Sequence, residues 1–320
     1  MTASSVLFLS ALYTVFSFGH AFTLLTFDVD GTLVSSSGWA DSAHGRAYPY
    51  AVSKILGQNK SVKPVPDVLK RDDFHGSTDG LILLRLARAA LDVPPKEAAA
   101  SLDELMSCMY RYISELSDEE VGHGLTVLPG VLSTFESLAN MKDEVMCGLV
   151  TGNVEGIARR KMRSVGIYQT GALSPTSNSQ ARRRVWPGTE HIGFIGGFGS
   201  DYCSGDIDDA TRNYLDRGEQ ISIATDRCRE VLNDSEGDVA LKRVVHIGDA
   251  PADVLAAKAF CEMQDELCVG MVAVATGSYG ADELQDLVGE YVPGVWEPVV
   301  LEKGLADPNF LRACGLPMHA

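Results

Sequence analysis

The segment FDVDGTLV, residues 27 to 34, sets two carboxylates, Asp28 and Asp30, two positions apart behind the apolar run TLLTF. On an extended strand, residues i and i+2 point to the same side. Two anions held that close repel, so one keeps a proton or both share a cation. Asp28 is therefore a candidate nucleophile, and Asp30 a candidate general acid and base. Gly31 lets the chain turn sharply beside a ligand. The competing reading is a strand-to-loop turn whose aspartates only cap backbone N–H groups.

Two more polar groups follow apolar runs. Thr151-Gly152-Asn153 comes directly after VMCGLV. A hydroxyl, a glycine and the first N–H groups of a helix make an anion site; plain N-capping by Thr151 or Asn153 is the alternative. GDAPAD, residues 248 to 253, comes after VVHI and supplies Asp249 and Asp253 four residues apart. Hard oxygen ligands so arranged suit Mg²⁺. The alternative is a pair of acids favoured by the helix dipole.

The elements that must position these groups show in the pattern. Residues 24–29, 145–150, 244–247 and 269–274 are continuous apolar runs, which predict buried strands. Helices are predicted through most of residues 40 to 120, over 154–165, over 209–232 with a less regular middle, and over 252–260. Buried strands alternating with helices imply an α/β fold, a Rossmann-like parallel sheet covered on both faces. In such sheets ligands bind beyond the carboxyl ends of the strands, so three polar strand ends would form one site. The expected organisation is a catalytic core of residues 22–34 plus 125–305 with a helical cap domain, 35–124, inserted beside the site. A surface insertion is expected at 168–192, where Arg182-Arg183-Arg184 and Trp186 read as a solvated loop, and a C-terminal tail at 306–320.

The chain has 320 residues, 45% of them hydrophobic and 22% charged, enough for a core of normal size. A net charge of −16 argues against a nucleic-acid surface. It leaves room for an anionic substrate, because a metal ion can reverse the local charge. Seven cysteines, with no CxxC pair, argue against a disulfide framework or zinc site. The apolar run of residues 6 to 18 is short for a membrane span, so no stable span is expected. It reads either as a targeting segment cleaved after Ala21, which implies the secretory pathway or a plastid, or as a helix packed on the domain of a cytoplasmic protein.

The three motifs, in order and each at a strand end, resemble the haloacid dehalogenase superfamily of phosphohydrolases over residues 22 to 290. GSTDGLIL (76–83), TGNVEGIARRKM (151–162), GGFGSD (196–201) and VAVATGSYGADEL (272–284) are similar to its phosphoglycolate-phosphatase-like branch. The resemblance implies a Mg²⁺-dependent phosphatase acting on a small-molecule phosphate ester through an aspartyl-phosphate on Asp28. It implies acid–base work by Asp30. Mg²⁺ would be held by Asp28, the Asp30 carbonyl and Asp249, with Asp253 behind them, and phosphate by Thr151, Gly152 and Asn153. It also implies that Asp30 separates this chain from the dehalogenases and phosphonate hydrolases of that superfamily. Many members carry a lysine in a K-P-x-P segment before the last motif, and no such segment stands before GDAPAD in this chain. Lys161 and Arg212 are the candidate cations in its place, each with a bland reading as a solvated helix residue. His75, Ser77 and Thr78 are candidate cap residues for substrate choice, with helix capping the alternative. A phosphomutase, or a catalytically silent binding protein on the same fold, is the competing function.

Overall fold

The apolar run before Asp28 forms strand β1 (His20–Phe27), with the two carboxylates just beyond it. The structure, a computed structural model, describes residues 20–58, 60–141, 143–167, 192–233 and 239–317. The expected insertion, with its arginine run and Trp186, and the N-terminal apolar run lie outside the described residues. Ala21, at the expected cleavage junction, pairs with Ala240 inside β1.

A short strand β2 (Val34–Ser36) leads to α1 (Ala43–Ile55), α2 (Arg71–Phe74), α3 (Asp79–Leu91), α4 (Pro95–Ala100), α5 (Leu102–Ser114) and α6 (Asp118–Gly122). Strand β3 (Leu125–Val127) returns antiparallel to β2, so the helical segment leaves and re-enters through one two-stranded ribbon. Then follow α7 (Val131–Ala139), β4 (Val145–Thr151), α8 (Glu155–Ser164), β5 (Ile192–Phe198) and α9 (Arg212–Asn233). The chain closes with β6 (Val239–Gly248), α10 (Pro251–Glu262), β7 (Cys268–Val274), α11 (Ala281–Val288), β8 (Trp296–Leu301) and α12 (Phe310–Ala313).

The main sheet has the order β5-β4-β1-β6-β7-β8, and every pairing in it is parallel. Alternate residues of each strand feed opposite layers, as a period of two requires. Leu24, Val244, Val269 and Met271 pack with Ile221, Ala256 and Phe260 of α9 and α10. Leu25, Phe27, Val245, Ile247 and Val272 pack on the other face with Phe135 and Phe310. This double burial is why the strands read as unbroken apolar runs. Burial of each such Leu, Val or Ile contributes about 1.5–3 kcal/mol over exposure. A third apolar cluster belongs to the helical insert and joins α1, α3 and α5.

Three elements depart from the expectation. Strands β5 and β8 form the two sheet edges, where no unbroken apolar run is needed. Residues 306–317, expected as a tail, pack on the core: Phe310, Cys314 and Leu316 are buried, and Phe310 stacks on Phe27 with centroids 6.5 Å apart. All seven cysteines are unpaired. No helix among the described residues is long and apolar enough to cross a membrane.

Candidate active site

The sheet register decides what meets at its edge. Phe27 lies between Leu149 and Ile247, so the residues that follow these three emerge together at the carboxyl ends of β1, β4 and β6. Asp28, Thr151 and Asp249 are thereby brought to one place, and all three are buried. One oxygen from each of Asp28, Asp249 and Asp253 lies within 4.8 Å of the others.

A buried polar chain supports this cluster from below. Thr26 Oγ1 lies 3.0 Å from His246 Nδ1, and His246 Nε2 lies 3.2 Å from Asp253 Oδ1. Asp253 also accepts the Ala250 N–H at 3.1 Å, the return bond of an acid in the first turn of α10. Arg217, on α9 and only 2% exposed, crosses the site. Its Nη1 donates to Asp28 Oδ1 at 2.8 Å and to the Val150 carbonyl at 3.1 Å, and lies 3.2 Å from Asp253 Oδ1. Thr32 donates to Asp249 Oδ1 at 3.3 Å. A Cβ on Gly31 or Gly277 would collide with the Asp249 carboxylate, and Gly31 has φ 85°, so both positions require glycine.

The Asp28 side is short of positive charge. Burial raises the Asp28 carboxyl above its usual range although Arg217 pulls it down; Asp253 and Asp30 raise it further. Burial, then Asp28 and Asp253, push the Asp249 carboxyl well above that range. Burial also works against ionised Asp253, but Arg217 and His246 outweigh it and hold Asp253 low. When all three are ionised these carboxylates exceed the one guanidinium by two negative charges, and hard oxygen donors with that deficit fit a divalent cation such as Mg²⁺.

Asp30 turns away from this cluster. Its two oxygens accept from Lys161 Nζ at 2.9 and 2.6 Å, and Asn153 Nδ2 donates to it at 3.1 Å. Burial would raise the Asp30 carboxyl, but Lys161, His44 and Asn153 hold it below its usual value.

The remaining candidates divide. Thr151 Oγ1 accepts the Asn153 N–H at 3.4 Å, and the Gly152 carbonyl accepts the Asp79 N–H at 2.8 Å. The strand-end loop is thus tied to the helical insert. Asp79 reinforces that tie: its carboxylate accepts from Val154 N at 2.8 Å and Tyr48 OH at 2.5 Å. Lys161 is a buried residue of α8, not a solvated one. Arg212 pairs instead with Asp209 at 3.5 Å, and the cation of this helix that reaches Asp28 is Arg217. Thr78 caps α3 by accepting the Leu81 N–H at 3.3 Å. Ser77 bonds Asn213 and Arg85, and both His75 ring nitrogens lie 3.3 Å from Ser278 Oγ.

Arg217 escaped the sequence reading, yet it left a trace. Tyr214, Arg217, Ile221, Ala224, Cys228 and Leu232 recur at helical spacing, and all but Tyr214 are buried. A charge in the core-facing row of an otherwise apolar helix face is the signal that would have found it.

No family model matches this chain, and no curated protein matches it. Among solved structures it is similar to CbbY from Rhodobacter sphaeroides in complex with phosphate, at 14% identity and TM-score 0.48 over 92% of this chain and 100% of that one. It is similar to a β-phosphoglucomutase from Clostridium difficile, at 13% identity and TM-score 0.48 over 92% and 96%. It is also similar to a predicted phosphoglycolate phosphatase from Haemophilus somnus, at 14% identity and TM-score 0.42 over 80% and 86%. At such distances the chemistry of this chain rests on its own residues.

Proposed function

We propose that the protein is a Mg²⁺-dependent phosphatase that hydrolyses a small phosphate monoester through a phosphoryl group carried on Asp28. One observation carries this reading. Two carboxylates at a single strand end have opposite partners: Asp28 shares Arg217 with Asp253 beside Asp249, while Asp30 is held by Lys161 and Asn153. That division suits a nucleophile and an acid–base group.

Asp28, Asp249 and Asp253 would hold the ion, and Mg²⁺ bound there supplies the positive charge that lets a phosphate approach carboxylates. Arg217 orients Asp28 and holds one of its oxygens. The other Asp28 oxygen forms a bond to phosphorus as the ester P–O bond breaks. Asp30 gives its proton to the departing oxygen. The phosphate bound beside Asp30 raises its proton affinity for this step. In the second half Asp30 takes a proton from water, the water oxygen bonds to phosphorus, and the bond to Asp28 breaks. Inorganic phosphate leaves and both carboxyl groups are restored. The helical insert is tied to the strand-end loop through Asp79 and Gly152, and an insert held at that loop suits a small substrate.

The test is Mg²⁺-dependent phosphate release from a panel of small phosphate esters with phosphoglycolate first. Wild type is expected to release phosphate and to lose that activity in EDTA. Asp28→Asn is expected to lose at least about 10³-fold in kcat. Transfer of phosphate between sugar hydroxyls without net release would favour a phosphomutase. Binding without turnover would favour a silent binding protein.

A further inference from the structure

Lys161 has no donor left for a substrate. An ammonium has three N–H groups. Lys161 Nζ spends them on Asp30 Oδ1 at 2.9 Å, Asp30 Oδ2 at 2.6 Å and Asn153 Oδ1 at 2.8 Å. Asn153 then donates its own amide to Asp30 Oδ2 at 3.1 Å, which closes a ring of three side chains. The ring is anchored at both ends. Asn153 leads into α8, which carries Lys161, and the next residue, Val154, donates its N–H to Asp79 of the helical insert at 2.8 Å. Exposure separates the partners: 32% of the Asp30 side chain is open against 3% of Lys161. A substrate can reach the carboxylate but not the ammonium behind it.

We infer that Lys161, with Asn153, is a positioning residue. It fixes the plane and aim of the Asp30 carboxylate toward the oxygen that leaves phosphorus, and it does not hold phosphoryl oxygens. The inference rests on the phosphatase reading and specifies which half of that site each cation serves. Proton transfer depends on geometry before it depends on acidity, because donor and acceptor must stand within hydrogen-bond reach in the transition state. A carboxylate held through both oxygens cannot turn out of line.

Leaving groups separate the two roles of Lys161. An alkyl phosphate expels a strongly basic oxygen that needs a proton; p-nitrophenyl phosphate expels one that needs little. With Lys161→Met, kcat/KM on the alkyl ester is expected to fall roughly 100-fold, the scale of a lost general acid. The fall in kcat/KM on p-nitrophenyl phosphate is expected to be under about fivefold, because that ratio reports phosphoryl transfer to Asp28 and not the later hydrolysis that both esters share. Inhibition by inorganic phosphate should stay within about threefold of wild type, since a lost phosphate contact would cost more. Asp30→Asn and the double variant Asp30→Asn/Lys161→Met should be equally slow on the alkyl ester, because groups acting as one unit are not additive.

Equal losses on both esters together with weakened phosphate inhibition would overturn the inference and make Lys161 a phosphate ligand. So would a double variant slower than Asp30→Asn by the full Lys161→Met factor. If Lys161→Met fails to fold, the double variant, which removes both charges of the pair, decides on inhibition by phosphate alone. A folded wild type that turns over neither ester and binds no phosphate overturns the phosphatase reading, and the inference with it.

Discussion

Asp28 and Asp30 are separated by one residue and sit in opposite fields. Asp28 meets two further carboxylates, Asp249 and Asp253, and shares one guanidinium with them. Asp30 meets an ammonium and an amide. Burial leaves the first carboxyl raised, while Lys161 brings the second down. The strand delivers both to the same edge, but their partners come from different layers: α9, α10 and the end of β6 for Asp28, α8 and the end of β4 for Asp30. Position in the chain thus fixes where a carboxylate stands, and the layer behind it decides what it can do.

Removing the cation shared on the Asp28 side should have the largest effect. Arg217→Met leaves Asp28 and Asp253 buried without their counter-charge. Stability is expected to fall by about 3–5 kcal/mol, read by urea unfolding, and phosphate release to fall about 10³-fold. A stability within about 1 kcal/mol of wild type would mean that the Asp28 side does not depend on this guanidinium.

A smaller effect should have the opposite sign. Asp249→Asn removes one of three crowded carboxylates, so the metal-free protein is expected to gain about 0.5–2 kcal/mol. Thermal denaturation with and without Mg²⁺ reads both parts of this prediction. The variant melts higher than wild type in EDTA and no longer gains stability from the ion. A variant less stable than wild type in EDTA would show that Asp249 is not under charge strain.

The smallest effect is in the pH dependence of the metal-free protein. Asp28 and Asp249 have folded pKa values above their unfolded ones, so the folded state binds more protons between the two, and stability rises as pH falls through the folded values. Asp30 is lowered, so its contribution is complete above the unfolded value and is lost as pH falls through the folded one. Unfolding free energy should therefore rise on mild acidification, by on the order of 1 kcal/mol, and fall again under stronger acid. Mg²⁺ should flatten the rise, and a monotonic fall from neutral pH in the metal-free protein would contradict the opposition of the two sides.

The central strands were legible because burial on both faces leaves no polar residue to interrupt them, as in TLLTF and VMCGLV. The polar residues just beyond those runs were legible for the same reason. Strand β8 was hidden because an edge strand tolerates Glu297 and Pro298, and β5 because Gly193, Gly196 and Gly197 blur its pattern. Arg217 was hidden because α9 buries a charge on its core face, which breaks the apolar periodicity where the site needs a cation. The partners of Lys161 were not legible either. Nothing along the chain tells that α8 turns its ammonium to Asp30, since that depends on how α8 packs against the end of β1.

The place of β1 in the sheet has a consequence for the order of events at the ribosome. This strand is made before either of its neighbours, yet it is gripped on one side by β4 and on the other by β6, which pairs Leu24 with Val244. At a synthesis rate of about 5–20 residues per second, that second neighbour follows roughly 10–40 s later. For that interval one flank of an apolar strand has no partner in its own chain. Until β6 arrives that flank is open to water, to the early helices or to a chaperone, and the carboxylate cluster that Asp249 and Asp253 complete cannot form.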